Sequence, residues 1–247
     1  MIEMPVITMD GHAGSGKSTL AKELAKMYGF YQIDSGALYR TYTYFILKYL
    51  NENNENEIIS EEIFQREEIN NLIKNLKINI EFINNLQITM VNNENIEEYI
   101  RTPRISENIK AVADNINTRN MVNDTLRNLA GKYPIVADGR DMGTVVFYDA
   151  DIKFFVTASA EERAKRRFLE FKEKHPHITI DEVVDQIVTR DKDDEKRPVG
   201  ALKPAKDAIF IDTTGKNIKQ VIENIIRYLQ GSTSLRIKNF LENISKA

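Results

Sequence analysis

Short apolar runs alternate along the chain with longer stretches in which apolar residues return every three to four positions. Pro5-Val-Ile-Thr-Met9 reads as a short buried strand entering a glycine-rich turn. Leu20, Leu24 and Met27 then fall at i, i+4 and i+7, one stripe of an amphipathic helix, and Gly29 stands where that helix would stop. Residues 31–34 read as a second strand and 37–50 as a second helix. Three more buried-type strands are predicted at 135–138, 152–157 and 208–212, with helices over 160–174, 181–194 and 216–230. Five short strands separated by helices predict an α/β fold built on a parallel five-stranded sheet. Parallel neighbours need crossover connections, and those crossovers cover both faces.

One segment breaks this rhythm. Lys77-Ile-Asn-Ile-Glu-Phe82 alternates with period two, as does Leu86-Gln-Ile-Thr-Met-Val91, and Asn84-Asn85 between them is a turn signal. An antiparallel hairpin therefore sits inside the α/β pattern. It divides the chain into a core of 1–59 and 104–247 and an insertion of 60–103 flanked by helices. The Asn/Glu-rich stretch 51–57 reads as a loop leading into the insertion. Beyond Gly231 a linker and one extra helix are expected.

Composition narrows the function classes. The 247 residues carry 34 Lys+Arg against 37 Asp+Glu, a formal net charge of −3, with 42% hydrophobic and 29% charged residues. Such a chain can bury a core and is no polycation able to hold nucleic acid by bulk charge. With no cysteine, disulfides, thiolate metal sites and Cys nucleophiles are excluded. His12, His175 and His177 are too few and too badly spaced for a His-rich metal centre. No apolar run approaches the roughly 20 residues that cross a bilayer, and the first residues lack a signal peptide's basic flank. A soluble, cytoplasmic protein is expected, without nucleic-acid or membrane partners.

The glycine-rich turn carries chemistry. Gly11-His-Ala-Gly-Ser-Gly-Lys-Ser-Thr19 fits G-x-x-x-x-G-K-[ST], with a strand before it and an amphipathic helix after it. Its residues Gly11, His12, Ala13, Gly14, Ser15, Gly16, Lys17, Ser18 and Thr19 are candidates to cradle ATP. Glycines let the backbone curl so that N–H groups point inward at a helix N-terminus. Lys17 would reach the β- and γ-phosphates, and the Ser18 hydroxyl would ligate Mg²⁺. The plainer reading is a glycine-rich turn with an incidental lysine. Asp10, just before the loop, reads equally as a support for the site or as a structural carboxylate. There is no Asn-Lys-x-Asp tetrapeptide, and no run of four hydrophobic residues ending in Asp-Glu. Weight therefore moves from guanine-nucleotide switches and motors towards small-molecule kinases.

A nucleoside monophosphate kinase must hold two polyanions face to face, and arginine forks offset their repulsion. Arg40 follows Asp34-Ser35-Gly36. Arg140 and Asp141 follow a buried strand, at the sheet edge where open α/β folds bind ligands. Arg163, Arg166 and Arg167 crowd one helix, with Arg163 and Arg167 on one face. Arg190, Asp194 and Arg197 fall at i, i+4 and i+7. The bland alternatives are a solvated face for the arginines at 163–167 and a surface pair for Arg190–Asp194 worth about 0.3–0.5 kcal/mol.

These segments together resemble the bacterial cytidylate kinase family. The resemblance is carried by Gly11–Thr19, Ile33-Asp-Ser-Gly-Ala-Leu-Tyr-Arg40, Ile100-Arg-Thr102, Ala137-Asp-Gly-Arg-Asp-Met-Gly-Thr-Val-Val146, Ala158-Ser-Ala-Glu-Glu-Arg-Ala-Lys-Arg-Arg167, Arg190-Asp-Lys-Asp-Asp-Glu-Lys-Arg197 and the closing strand Ala208 to Thr214. It implies a P-loop kinase core, a monophosphate-binding insertion with a small antiparallel sheet, and a helical lid at about 160–197. The implied reaction is ATP plus CMP or dCMP to ADP plus CDP or dCDP, with Mg²⁺. By motif position, Arg40, Arg140 and Arg197 would bind the CMP phosphate, and Ser35, Arg119 and Asp141 would read cytosine. Arg190 and Asp194 would hold the sugar. Lys17 with Arg163, Arg166 or Arg167 of the lid, and Arg197, would act on the transferring phosphoryl group. Lys110 stands where some members place a sugar-contacting Ser, and Tyr148 where Pro is common. A kinase for another monophosphate such as UMP, and a P-loop regulator with no acceptor, are the alternative readings.

Overall fold

The computed structural model describes residues 4–53, 58–172 and 178–246. The ends of the loop expected at 51–57 and of the helix expected at 160–174 lie outside these residues, as do His175 and His177. The first strand, β1 (Val6–Gly11), is buried along its whole length. The chain crosses through α1 (Lys17–Tyr28) to β2 (Tyr31–Asp34) and turns directly into α2 (Ser35–Glu52). A 3₁₀ turn (Glu61–Gln65) and α3 (Glu67–Asn75) precede three antiparallel strands, β3 (Ile78–Ile83), β4 (Leu86–Val91) and β5 (Glu94–Asn95). Next come α4 (Pro103–Asp114), α5 (Ile116–Ala130), β6 (Ile135–Gly139), a π-helical turn (Met142–Val146) and β7 (Ile152–Thr157). The chain continues with α6 (Ala160–Lys172), α7 (Ile180–Lys196), β8 (Ile209–Asp212), α8 (Ile218–Gln230) and α9 (Leu235–Ile244).

The parallel core runs β2-β6-β1-β7-β8. Its strands read as continuous apolar runs because both faces are covered. Successive side chains point to opposite faces, so Ile135 and Ala137 pack in the cluster beneath α2, α4 and α5, while Val136 packs in the cluster beneath α1, α8 and α9. Leu20 and Leu24 lie on the buried face of α1 as the stripe predicts. Met27 is exposed, and Ala21 and Ala25 complete that face.

The sheet is longer than the five strands expected. β4 runs parallel to β2, pairing Leu86 with Gln32, so the insertion's strands continue the sheet past β2. An unpaired edge of β2 would leave backbone groups exposed, and Gln32 N–H donates to the Asn85 carbonyl at 2.8 Å. Asn84 and Asn85 adopt positive φ (51° and 63°), as a tight hairpin turn requires. A second pair, Asn92 and Asn93 (φ 51° and 65°), turns β4 back into β5. A two-residue strand is too short to show alternation, so the period-two reading missed it. Periodicity also left α4 and α5 undelimited, although both are capped at their start. Pro103 opens α4 behind Thr102, and the Asn115 carboxamide oxygen accepts from Thr118 N–H at 2.9 Å.

The extra helix after Gly231 is present as α9. Ile237 is fully buried, and Phe240 lies 4.6 Å from Phe30, centroid to centroid. Asp151 anchors this end of the molecule, accepting from Arg236 Nε (2.9 Å), from the Ser234 hydroxyl and from Val6 N–H (2.8 Å).

Asp10, at the end of β1, accepts the N–H groups of Met142 (2.8 Å) and Gly143 (2.7 Å). It thus fastens the turn that follows β6. Burial pushes its carboxyl up from 3.8 to about 6 despite those bonds. Between those values the folded protein keeps a proton that the unfolded chain has lost, so stability falls as pH rises from about 4 to 6, by about 3 kcal/mol. Asp10→Asn is expected to remove this fall. Melting temperatures of both proteins across that window check it, and parallel profiles would refute it.

Candidate active site

The loop between β1 and α1 is shaped by its glycines. A Cβ on Gly11 (φ +154°) would stand 2.0 Å from the Val156 carbonyl oxygen, so only glycine lets β1 and β7 come this close. Gly16 adopts the left-handed conformation (φ 90°) that launches α1. The loop's carbonyls are held from outside. Arg163 Nη1 reaches the Ala13 oxygen (3.3 Å), Arg166 Nη1 the Gly14 oxygen (3.4 Å) and Thr213 Oγ1 the Ser15 oxygen (2.9 Å). Lys17 is buried and donates to the His12 carbonyl at 3.1 Å. The His12 ring lies 3.0 Å from Glu195 of α7.

Beside the loop opens a cleft of about 640 Å³. Ala13, Gly14, Gly16, Lys17, Ser18 and Thr19 form one end, while Gly11, His12 and Ser15 belong to the loop without lining the cleft. Its other walls bring together Ser35 and Arg40 from α2, Arg119 from α5, Arg140 and Asp141 after β6, Arg167 from α6, and Arg190, Asp194 and Arg197 at the end of α7. Arg163 is not among them. Its guanidinium is buried behind the loop, bonded to the Ala158 carbonyl (3.1 Å) and paired with Asp191 (2.7 Å). Arg163 and Arg167 share a helix face, but one turn of α6 separates a support of the loop from a wall of the cleft. Lys110 points away from the cleft to Asp193 at 2.9 Å, and Ser106, one turn earlier on α4, lines it. Tyr148 is exposed beside Arg127.

Nine cationic side chains line the cleft against five carboxylates, although the whole chain is slightly acidic. Cations so crowded destabilise one another. Burial first, and then Arg140, lower Lys17 well below its ordinary value and bring Arg190 down to about 9. Such a cleft is built to receive anions. Asp194, buried, accepts from Arg140 Nε (2.6 Å) and Arg197 Nη2 (3.0 Å), and Arg197 also reaches Asp114 at 2.8 Å. Asp194 is thus no surface partner of Arg190. Arg119 and Asp141 form a fully buried ion pair, with the guanidinium also bonded to the Ala113 carbonyl (2.9 Å) and lying over the Tyr39 ring. Burial raises the Asp141 carboxyl in spite of Arg119. The Ser35 hydroxyl donates to the Asp138 carbonyl at 3.0 Å.

Sequence reasoning missed several groups of this cleft. Asp138 accepts from Ser18 Oγ (2.5 Å) and Gln32 Nε2 (2.8 Å). Its place at the carboxyl end of the strand beside β1 was the available signal. Gln87, Glu97 and Arg101 come from the insertion, where alternation showed only strand structure.

Known proteins resemble this chain in sequence over nearly its whole length. The family model for cytidylate kinase matches residues 7–231. A cytidylate kinase of Thermosipho melanesiensis is 42% identical over 229 residues, 93% of this chain and 98% of the relative. One of Alkaliphilus metalliredigens is 41% identical over 225 residues, 91% and 96% of the two chains. One of Clostridioides difficile is 40% identical over 222 residues, 90% and 96%. Identity of this order along nearly the full length of both partners places the chain in the cytidylate kinase family.

Proposed function

We propose that the protein transfers the terminal phosphoryl group of ATP to CMP or dCMP, giving ADP and CDP or dCDP. The observation that carries this reading is one cleft with two anion-holding ends: the glycine-rich loop with Lys17, and the arginines Arg40, Arg140 and Arg197. The loop and Lys17 hold the donor's phosphates, and Arg167 closes on them from the lid. The three arginines hold the acceptor's phosphate in line with them, and no covalent enzyme intermediate forms. Such a transfer depends on positioning and charge neutralisation. Ser35, Arg119 and Asp141 read the base, with the carboxylate accepting from the cytosine amino group while Arg119 and Ser35 donate to its acceptors. Arg190 and Asp194 hold the sugar. Lid closure keeps water from the reacting phosphate.

The donor set near Ser18 fits Mg²⁺. The Ser18 hydroxyl and the Asp138 carboxylate are adjacent hard oxygens, and Mg²⁺ takes one or two such groups together with waters and substrate phosphates. Among the described residues no cluster of three or more His, Cys, Asp or Glu could hold a metal alone, and an ion shared with ATP requires none. When bound it neutralises charge on the donor phosphates.

The test is an acceptor panel of CMP, dCMP, UMP, AMP and GMP with ATP and Mg²⁺. CMP and dCMP are expected to be turned over and the purine nucleotides not. Preference for UMP would move the reading to another monophosphate kinase. Slow ATP hydrolysis that no acceptor redirects would indicate a regulator. No helix among the described residues is long and apolar enough to cross a membrane. The reading carries with it a cytoplasmic monomer acting on free nucleotides, without nucleic-acid or membrane partners, and size-exclusion chromatography checks the monomer.

A further inference from the structure

Two carboxylates of the cleft each hold a pair of arginines. Asp194 takes Arg140 and Arg197 on the lid side. Asp34 takes Arg40 at 3.6 Å and Arg101 at 3.2 Å. Three of these four arginines already belong to the acceptor's phosphate set. The geometry points to Arg101 as its fourth member, supplied by the end of the insertion and aimed by Glu97 and Asp34. This inference rests on the cytidylate kinase reading of the cleft.

The aiming is built in steps. Thr89, fully buried in β4, donates its N–H (3.1 Å) and its hydroxyl (2.8 Å) to one oxygen of Glu97. The other Glu97 oxygen accepts from Arg101 Nε (3.1 Å) and Nη2 (2.8 Å). That grip fixes one edge of the guanidinium, and Nη2 also meets Asp34. Among the described residues nothing bonds Nη1. The Arg101 side chain is 48% exposed, and the residue lines the same cleft as Arg40 and Arg140. Asp34 is itself placed by the insertion, since its N–H donates to Gln87 Oε1 at 3.0 Å. Its carboxyl stays below the ordinary range because Arg40 and Arg101 outweigh the effect of burial. With Nε and Nη2 held by Glu97 and Asp34, Nη1 is the donor left to reach a phosphate oxygen, in a charge-assisted bond. Holding it beforehand reduces what binding must order. The plainer reading is an i, i+4 pair, Glu97–Arg101, that braces the insertion.

The two readings differ in what happens to a ligand without a phosphate. In the full-length protein, Arg101→Ala is expected to raise KM for CMP by about 10–100-fold, the loss of a charge-assisted bond. The inhibition constant of cytidine is expected to stay within about twofold of wild type, since cytidine has no phosphate to lose. Arg101→Lys retains the charge but not the fork, and should fall between. Glu97→Gln leaves Arg101 present but poorly aimed. It should raise KM for CMP by less than Arg101→Ala, again without weakening cytidine. If CMP and cytidine weaken in parallel, Arg101 is a brace; if neither changes, it takes no part in binding. Either result overturns the inference. Wild-type turnover of CMP in the same assay separates its failure from that of the reading beneath it.

Discussion

Lys17→Ala is expected to lower CDP formation by at least about 10²–10³-fold while leaving the protein folded. The first part follows from the position of Lys17, at the base of the glycine-rich loop and facing the cleft. A fixed cation aimed at charge that develops during transfer contributes this much or more in a water-poor site. The second part follows from its surroundings. Among the described residues Lys17 donates to one carbonyl and forms no ion pair, and burial and the charge of Arg140 lower its pKa well below the ordinary value. Removing a desolvated cation among other cations relieves repulsion, so the melting temperature should hold or rise. A variant with wild-type turnover would remove Lys17 from the reaction. A variant that melts early would mean that Lys17 supports the fold instead.

Asp141→Ala is expected to act on both stability and selectivity. Arg119 is 1% exposed and would be left as an unpaired buried charge. Breaking a buried pair from one side costs about 3–5 kcal/mol, and a thermal or urea melt would show it. A site built to satisfy a base's hydrogen bonds rejects a mismatched base strongly, because its own polar groups are left unmatched. Losing the carboxylate should therefore erase the preference for CMP over UMP. Asp141→Asn keeps the volume and supplies an amide donor to the uracil carbonyl. It should shift the kcat/KM ratio towards UMP while costing less stability. An unchanged ratio in both variants would exclude Asp141 from base reading.

The structure also explains why some arginines were legible and others misread. A helical spacing identifies a face but not which neighbour each turn of that face meets. Arg163 and Arg167 are equivalent by spacing. Yet the first turn of α6 packs against the back of the phosphate loop, so Arg163 is spent on Ala13, Ala158 and Asp191. The i, i+4 relation of Arg190 and Asp194 by itself leaves a surface pair open as the bland alternative to a place in the site. α7 ends in the cleft, where Asp194 bonds Arg140, 54 positions away, and Arg197.

The phosphate loop, the alternating strand–helix order and the hairpin were determined by the sequence alone. Each depends on residues adjacent in the chain: glycines that permit positive φ, apolar periods that match a pleat or a helix, and asparagines that accept a tight turn. The joining of the hairpin to the edge of β2 was decided only by the tertiary structure, as was the meeting of Arg40, Arg101, Arg119, Arg140 and Arg197 around shared carboxylates. Most of those contacts link residues tens of positions apart, as Arg101 with Asp34, Arg119 with Asp141 and Arg140 with Asp194 do. Their bonds form only where packing has already brought the backbones together, and no local pattern records that distance.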